Sequence, residues 1–368
     1  MIMIPIAQPI LDNKEKENII EVLDSGMLAE GEFVRRFEEA FCTFLNAEHG
    51  VATNSGTAGL HVALKAAGIE KGDRVVTTPF SFIATTNALL YCGARPVFVD
   101  IKEESYNIDP EKLEQKLKAE PDIKALLIVH LFGRPCSMDR IMELVDKYNL
   151  ILIEDCAQAH GASFQGKKVG TFGRAAVFSF YPTKNMTTAE GGIVVTGDRD
   201  LKKRVESLIR HGSTYKYYHE ILGYNYRMNN LEAALGVAQI EKLEKFNRKR
   251  RANAAFLNEH LRELDWLQTP KEDADRSHVY HLYTVSLKEN SRDKFADYLK
   301  ESGIGCGIYY PLPVYRQPLY KERGYGNISL PVVEKTAQKV ISLPVHPALT
   351  KSELRKIVEC VRNFKNSQ

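Results

Sequence analysis

FSFYPTKNMTTAEGG, residues 178–192, carries Lys184 on a loop between two apolar runs, AAVFSF (175–180) and GGIVVTG (191–197). Both runs are short, rich in β-branched and aromatic residues, and close in sequence, which reads as a pair of hairpin-like strands. Lysines ordinarily decorate solvated helix faces. One set between apolar strands is either a loop-tip charge or an amine that the fold delivers to a site that uses it.

Upstream of this loop, from about residue 49, short apolar runs alternate with helical stretches. GVATN (50–54) precedes TAGLHVALKAAG (57–68), RVVTTP (74–79) precedes SFIATTNALLYCG (81–93), and RPVFVD (95–100) precedes PEKLEQKLKA (110–119). KALLIVHL (124–131), MDRIMELVDKYN (138–149) and LILIEDC (150–156) continue the pattern. Runs this apolar, separated by helices, predict an α/β fold with a mostly parallel sheet of about seven strands buried on both faces. Residues 231–264 carry few breakers and predict a long bridging helix. Beyond it, HLYTVSL (281–287), a helical pattern over 292–302, and a closing helix opened by the capping box Thr350-x-x-Glu353 predict a smaller α+β domain. The expected division is a large domain over 1–245 and a small one over 246–368.

A formal net charge of +3 is too balanced for a polyanion-binding protein, so no nucleic-acid partner is expected. The basic run NRKRR (247–251) lies in a Glu- and Lys-rich helical pattern and reads as a solvated face. The six cysteines form no CxxC pair and no regular spacing, which indicates neither a zinc site nor a disulfide framework, and no metal is expected. Reduced thiols fit a cytoplasmic location. The N-terminus lacks the basic start and small-residue cleavage site of a signal peptide, and no apolar run approaches the ~20 residues of a membrane span.

Four groups of residues offer chemistry. In NSGTAGL (54–60) a strand runs into Ser55-Gly56-Thr57 and a helix begins at once, which sets free backbone N–H groups, two hydroxyls and a glycine where a phosphate could rest. Helix capping accounts for the same residues equally well, and the run matches neither GxxxxGK[ST] nor GxGxxG. Asp155 follows a fully apolar strand, where ligands of open α/β sheets bind. The bland reading of an isolated aspartate there is a cap or a loop ion pair. Lys184 lies 29 residues further on, five after Ser179, and Phe82 supplies an aromatic face. Together they offer an amine for a Schiff base, a carboxylate for a pyridinium nitrogen, a phosphate cradle and a ring to stack, which are the needs of pyridoxal 5'-phosphate.

With these residues in view, the chain resembles the DegT/DnrJ/EryC1/StrS family of sugar aminotransferases. The resemblance is carried by SGTAGL, PFSFIATTNALLYCGARPVFVD, EDCAQAHGA, FSFYPTKNMTTAEGG, LGYNYRMNNLEAALG and LPVHPALT, in the family's order over nearly the whole chain. It implies the aspartate-aminotransferase-like architecture (pyridoxal-phosphate fold type I). It also implies that Lys184 holds the cofactor covalently, that Asp155 pairs with the pyridine nitrogen, and that Gln158 hydrogen-bonds the 3-hydroxyl. Gly56, Thr57 and Ser179 would hold the phosphate, Phe82 would stack on the ring, and Asn225 would reach the phosphate of a neighbouring subunit in a homodimer with shared sites. Arg227 would meet the substrate's diphosphate, and Tyr309 and Tyr310 would face the sugar. The last pair is a departure, because relatives often carry His-Tyr where this chain has Tyr309-Tyr310.

The activity implied is transamination from glutamate to the keto group of a nucleoside-diphosphate sugar, passing through pyridoxamine phosphate, for polysaccharide or glycan biosynthesis. TTAEGG (187–192) resembles members acting at C4, where members acting at C3 more often read like GDGG. C3 amination, cyclitol amination and an aromatizing synthase share the same core motifs. Dehydrating relatives replace the lysine with histidine, a nicotinamide oxidoreductase should carry GxGxxG after its first strand, and a ligand-binding regulator should have lost the lysine or the acid or carry an added DNA-binding segment.

Overall fold

The computed structural model describes residues 3–271, 273–289 and 291–364. Seven strands build the main sheet: β1 (His49–Thr53), β2 (Arg74–Thr77), β3 (Arg95–Phe98), β4 (Ile123–Val129), β5 (Ile151–Asp155), β6 (Ala175–Ser179) and β7 (Gly192–Thr196). They lie in the order β1-β7-β6-β5-β4-β2-β3, and β7 alone runs against its neighbours. The fold is the mostly parallel α/β architecture read from the alternation of runs. The two strands that flank the lysine loop pair antiparallel, with Phe178 opposite Ile193 and Ser179 opposite Gly192.

Alternation along the strands assigns residues to the two faces of the sheet. Ala125 and Leu127 of β4 and Ile153 of β5 join the core under helices Gly56–Ala66, Ile83–Tyr91 and Arg199–Ile209. Leu126, Ile128 and Leu152 join the opposite core, under helices Pro110–Ala119 and Met138–Tyr148. Towards β1, that second face is closed by Phe37 and Phe41 of helix Glu32–Leu45 and by Val237 of the long helix. Such burial on both faces explains why the strands read as continuous apolar runs.

The long helix spans Asn230–Leu261 and opens with a capping box between Asn229 and Glu232. Its first half packs on the main sheet through Ala233, Ala234 and Val237. Its second half adds Ala254, Leu257 and Leu261 to a separate core built on the antiparallel sheet of Leu267–Gln268, Tyr283–Leu287 and Val340–Leu343. Helices Arg292–Glu301 and Lys351–Asn363 close that core, the latter with the Thr350/Glu353 capping box. We propose the two-domain division on this separation of cores, with the boundary inside the long helix. Among the described residues no helix is long and apolar enough to cross a membrane.

Candidate active site

At the carboxyl end of β5, residues 154 and 155 take opposite faces. Asp155 continues the Ile153 side and is 4% exposed. Its Oδ2 accepts a hydrogen bond from Thr85 Oγ1 at 2.7 Å and its Oδ1 accepts one from the Ala157 N–H at 3.0 Å. Thr85 stands in the first turn of helix Ile83–Tyr91, and its hydroxyl also meets Ser81 Oγ at 2.7 Å. Burial pushes the Asp155 carboxyl above its ordinary value, while the two hydrogen bonds and the Lys184 charge pull it back. No ion pair to Asp155 forms among the described residues, so a buried acid stands here in want of a cation.

On the other side of the same strand, Glu154 is buried and its carboxylate accepts from the backbone N–H groups of Gly170, Phe172 and Gly173, each at 2.8 Å. His130 Nε2 lies 3.0 Å from it, and Cys156 lies near both. These contacts tie the end of β5 to the loop before β6. The Glu154 oxygens are already engaged by three donors and an imidazole.

Lys184 lies on the β6–β7 loop, half-buried, with its backbone N–H donating to Tyr181 O at 2.9 Å in a turn. Its Nζ makes no hydrogen bond or ion pair among the described residues. Burial lowers its pKa from 10.5 to about 8, against the partly restoring pull of Asp155. The loop is held from behind by Asn185, whose Nδ2 donates to Asn247 Oδ1 at 2.8 Å and to Val279 O at 3.0 Å. His160, fully buried, places Nε2 2.8 Å from Ser179 O at the end of β6.

Ser55 caps helix Gly56–Ala66, accepting from the Ala58 N–H at 3.1 Å, so the capping reading of that serine holds. The helix start nevertheless stands against β6 and β7. A Cβ built on Gly56 would meet Ser179 Cβ at 2.7 Å, and one on Gly192 would meet Gly56 N at 2.7 Å. Gly56, half-buried Thr57 and Ser179 therefore converge on one helix N-terminus, a position whose free N–H groups and dipole favour an anion.

Gln158 is buried three residues beyond Asp155. Its Oε1 accepts from the Phe132 N–H at 2.7 Å, and its Nε2 donates to Tyr310 OH at 3.1 Å. Phe82, 57% exposed, caps the opening of the Thr85 helix with its ring centroid 6.3 Å from that of Tyr310. Tyr309 turns its ring towards Gly307 and lies beside Tyr310 at 6.0 Å. Asn225 is exposed, its carbonyl receiving Asn54 Nδ2 at 3.4 Å, and Arg227 bridges Thr53 at the end of β1. Both therefore stand by the strand that feeds the Gly56 helix. The fold thus brings Asp155, Gln158, Phe82 and Tyr310 together, gathers Gly56, Thr57 and Ser179, and sets Asn225 and Arg227 at the rim. Sequence reasoning missed Thr85, Ser81 and Asn185. Of these, Thr85 carried a signal, because it stands three residues after Phe82 on a helix starting at a strand end.

An unpaired amine of lowered pKa, a buried acid lacking a cation and a glycine-lined helix N-terminus fit pyridoxal phosphate. Fold and site define the class: a pyridoxal-phosphate-dependent aminotransferase of fold type I. The chain belongs to the DegT/DnrJ/EryC1/StrS aminotransferase family, whose model matches residues 9–362. It is 39% identical to the UDP-N-acetyl-3-dehydro-alpha-D-glucosamine 3-aminotransferase of Acidithiobacillus ferrooxidans, over 93% of this chain and 91% of the relative. It is 37% identical to the GDP-perosamine synthase of Escherichia coli O157:H7, over 98% of each chain. A pleiotropic regulatory protein of Geobacillus stearothermophilus is 38% identical over 97% of this chain and 98% of its own length. Among solved structures, S. venezuelae DesV in complex with a ketimine intermediate superposes with a TM-score of 0.92 at 36% identity, covering 98% of this chain and 99% of that one.

Proposed function

We propose that this sugar aminotransferase takes an amino group from glutamate and places it on C4 of a nucleoside-diphosphate keto sugar, supplying an amino sugar for polysaccharide or glycan biosynthesis. The observation that carries the aminotransferase reading is that Lys184, an unpaired amine whose pKa burial lowers to about 8, stands within electrostatic reach of the buried acid Asp155 at the end of β5. The cofactor is pyridoxal 5'-phosphate, and when bound it supplies an electron sink and a carrier for the amino group between two half-reactions.

The chain's own residues do the rest. Lys184 Nζ would hold the cofactor and would move a proton between the reacting carbons as base and acid. A lysine near 8 exchanges a proton at neutral pH far more readily than one at 10.5. Asp155 would keep the pyridine nitrogen protonated, and Thr85 and the Ala157 N–H aim its carboxyl and offset part of the upward push of burial. Gln158 holds the ring's 3-hydroxyl, Phe82 covers its exposed face, and Gly56, Thr57 and Ser179 seat its phosphate. Arg227 meets the sugar's diphosphate and Tyr309 and Tyr310 face the hexose.

Asn225 reaches into a second subunit of a homodimer. Supporting this, the segment before it exposes Tyr217 at 85% and Leu222 at 84%, an apolar surface that a second copy would cover. The six cysteines form no disulfide and agree with a cytoplasmic enzyme.

The C4 assignment rests on the Thr187–Gly192 segment, and the similarity to an enzyme named for position 3 favours C3 as the second reading. Offering 3-keto and 4-keto nucleotide hexoses with glutamate and locating the new amine by NMR decides between them. Amination of the 4-keto sugars is expected, and exclusive amination at C3 contradicts the assignment.

A further inference from the structure

The basic run NRKRR reads as a solvated face, and Arg248 and Lys249 are indeed exposed. Asn247 and Arg250 of the same run are not: they are 0% and 4% exposed, turned inward from the middle of the long helix. Asn247 spends both ends of its amide inside the protein. Its Oδ1 accepts from Asn185 Nδ2 at 2.8 Å, and its Nδ2 donates to the His160 carbonyl at 2.8 Å. The fit is close. A Cβ on Gly161, which stands at φ +82°, would lie 3.1 Å from Asn247 Nδ2 and 2.8 Å from Phe44 Cζ.

These bonds close a circuit around the lysine loop. His160 Nε2 lies 2.8 Å from the Ser179 carbonyl, so that nitrogen carries the proton, and burial holds the ring neutral with a pKa of about 3. One path runs from Ser179 along the loop to Lys184 and Asn185. The other returns from Asn185 through Asn247 and His160 to Ser179. On the sheet side the loop is closed separately, by Phe180 O, which accepts from the Thr188 N–H at 3.0 Å and from Thr187 Oγ1 at 2.9 Å. That closure pins the stem of the loop and engages neither Ser179 nor Lys184. Two atoms of the relay, Asn185 Oδ1 and His160 Nδ1, are buried without a partner among the described residues. Apolar side chains would avoid that cost, so the relay is a poor source of stability and a good device for fixing geometry.

We propose that Asn247 is a positioning residue, which holds Ser179 and Lys184 at the separation that lets one rigid cofactor reach both. This rests on the cofactor roles given above to Lys184 and Ser179, and deepens them. Pyridoxal phosphate would be attached twice: through its phosphate at Ser179, and through its aldehyde carbon at Lys184, where amine and aldehyde join with loss of water. Two attachments made by one rigid molecule reinforce each other only while the spacing between their sites is held. The relay through Asn247 and His160 is the side-chain link between those two sites.

The test is equilibrium binding of three probes to the full-chain apoprotein. Pyridoxal phosphate uses both attachments, pyridoxamine phosphate uses the phosphate seat alone, and pyridoxal uses the lysine alone. Asn247→Leu removes both hydrogen bonds of the amide at similar volume. In that variant pyridoxal phosphate should bind about 10-fold more weakly, while the other two probes bind as they do to the wild type. Asn185→Ala cuts the same link from the loop side and must give the same pattern, so the proposal stays exposed even if Asn247→Leu does not fold. Weakening shared by pyridoxamine phosphate or pyridoxal, or unchanged affinity for pyridoxal phosphate, overturns the proposal and leaves the relay as packing. Lys184→Ala separates this from the cofactor reading. If that variant binds pyridoxal phosphate as tightly as the wild type, the reading fails and the proposal with it, whereas a loss in Lys184→Ala with none in Asn247→Leu fails the relay alone.

Discussion

Asp155 illustrates how much one side chain depends on two others. Its carboxyl is buried, and burial alone would favour the neutral acid. The Thr85 hydroxyl and the Ala157 N–H favour the ion and offset part of that push. Asp155→Asn is expected to lower turnover by at least about 10²-fold, the scale seen when one fixed electrostatic group is removed from an active site. Thr85→Val tests the support rather than the acid. Without the hydroxyl the ionised form loses a hydrogen bond, so the Asp155 pKa rises further, and the acid limb of kcat/KM should move up by about one pH unit. An unmoved limb with merely reduced turnover would make Thr85 a packing residue. Lys184 and Asp155 were legible as candidates because each stands at or just after the end of an apolar run, whereas the roles expected of Gln158 and Ser179 came from the family resemblance. Thr85 and Arg250 were not. The first had only its place three residues after Phe82 to mark it, until its helix is packed beside β5, and the second, 4% exposed, sits in a basic run whose composition signals solvent.

At the scale of elements, the site depends on a helix, Gly56–Ala66, starting hard against the β6–β7 pair. Two effects compete in Gly56→Ala. Alanine is the better helix former by up to about 1 kcal/mol, but its Cβ would stand 2.7 Å from Ser179 Cβ, closer than packed carbons tolerate. Overpacking of that kind typically costs about 1–3 kcal/mol, so the steric term should win. The variant should melt lower and hold cofactor more weakly, as read by thermal denaturation and equilibrium dialysis. Unchanged cofactor affinity would remove this helix start from the phosphate site. The strands were readable as elements because burial on both faces makes them continuous apolar runs. Their order was not, since nothing in the local sequence says that β7 inserts antiparallel between β1 and β6.

For the whole molecule, buried histidines set a limit on the acid side. Burial holds His61 and His346 at about 4 and His160 at about 3, and His281 is also well below its ordinary value of 6.5. Below pH 6.5 the unfolded chain binds protons at these sites and the folded chain does not, so stability falls as pH drops. Each contributes up to about 1.4 kcal/mol per pH unit once its unfolded form is fully protonated. Glu38, raised by burial to about 7, takes up a proton in the folded state over pH 4.5–7 and offsets one of the four. Urea denaturation of the apoprotein at pH 6.5 and 5 should therefore show a clear loss of stability at the lower pH. A flat profile would mean that these histidines reach water in the folded state.

The central claim, that Lys184 and Asp155 form a cofactor site working on glutamate and a keto sugar nucleotide, is tested most directly by the absorbance spectrum of the purified protein. A visible cofactor band that disappears on adding glutamate and returns on adding an accepting keto sugar nucleotide is the predicted result, with neither change in Lys184→Ala. A protein that stays colourless in the presence of pyridoxal phosphate, or a Lys184→Ala variant that cycles like the wild type, would contradict it.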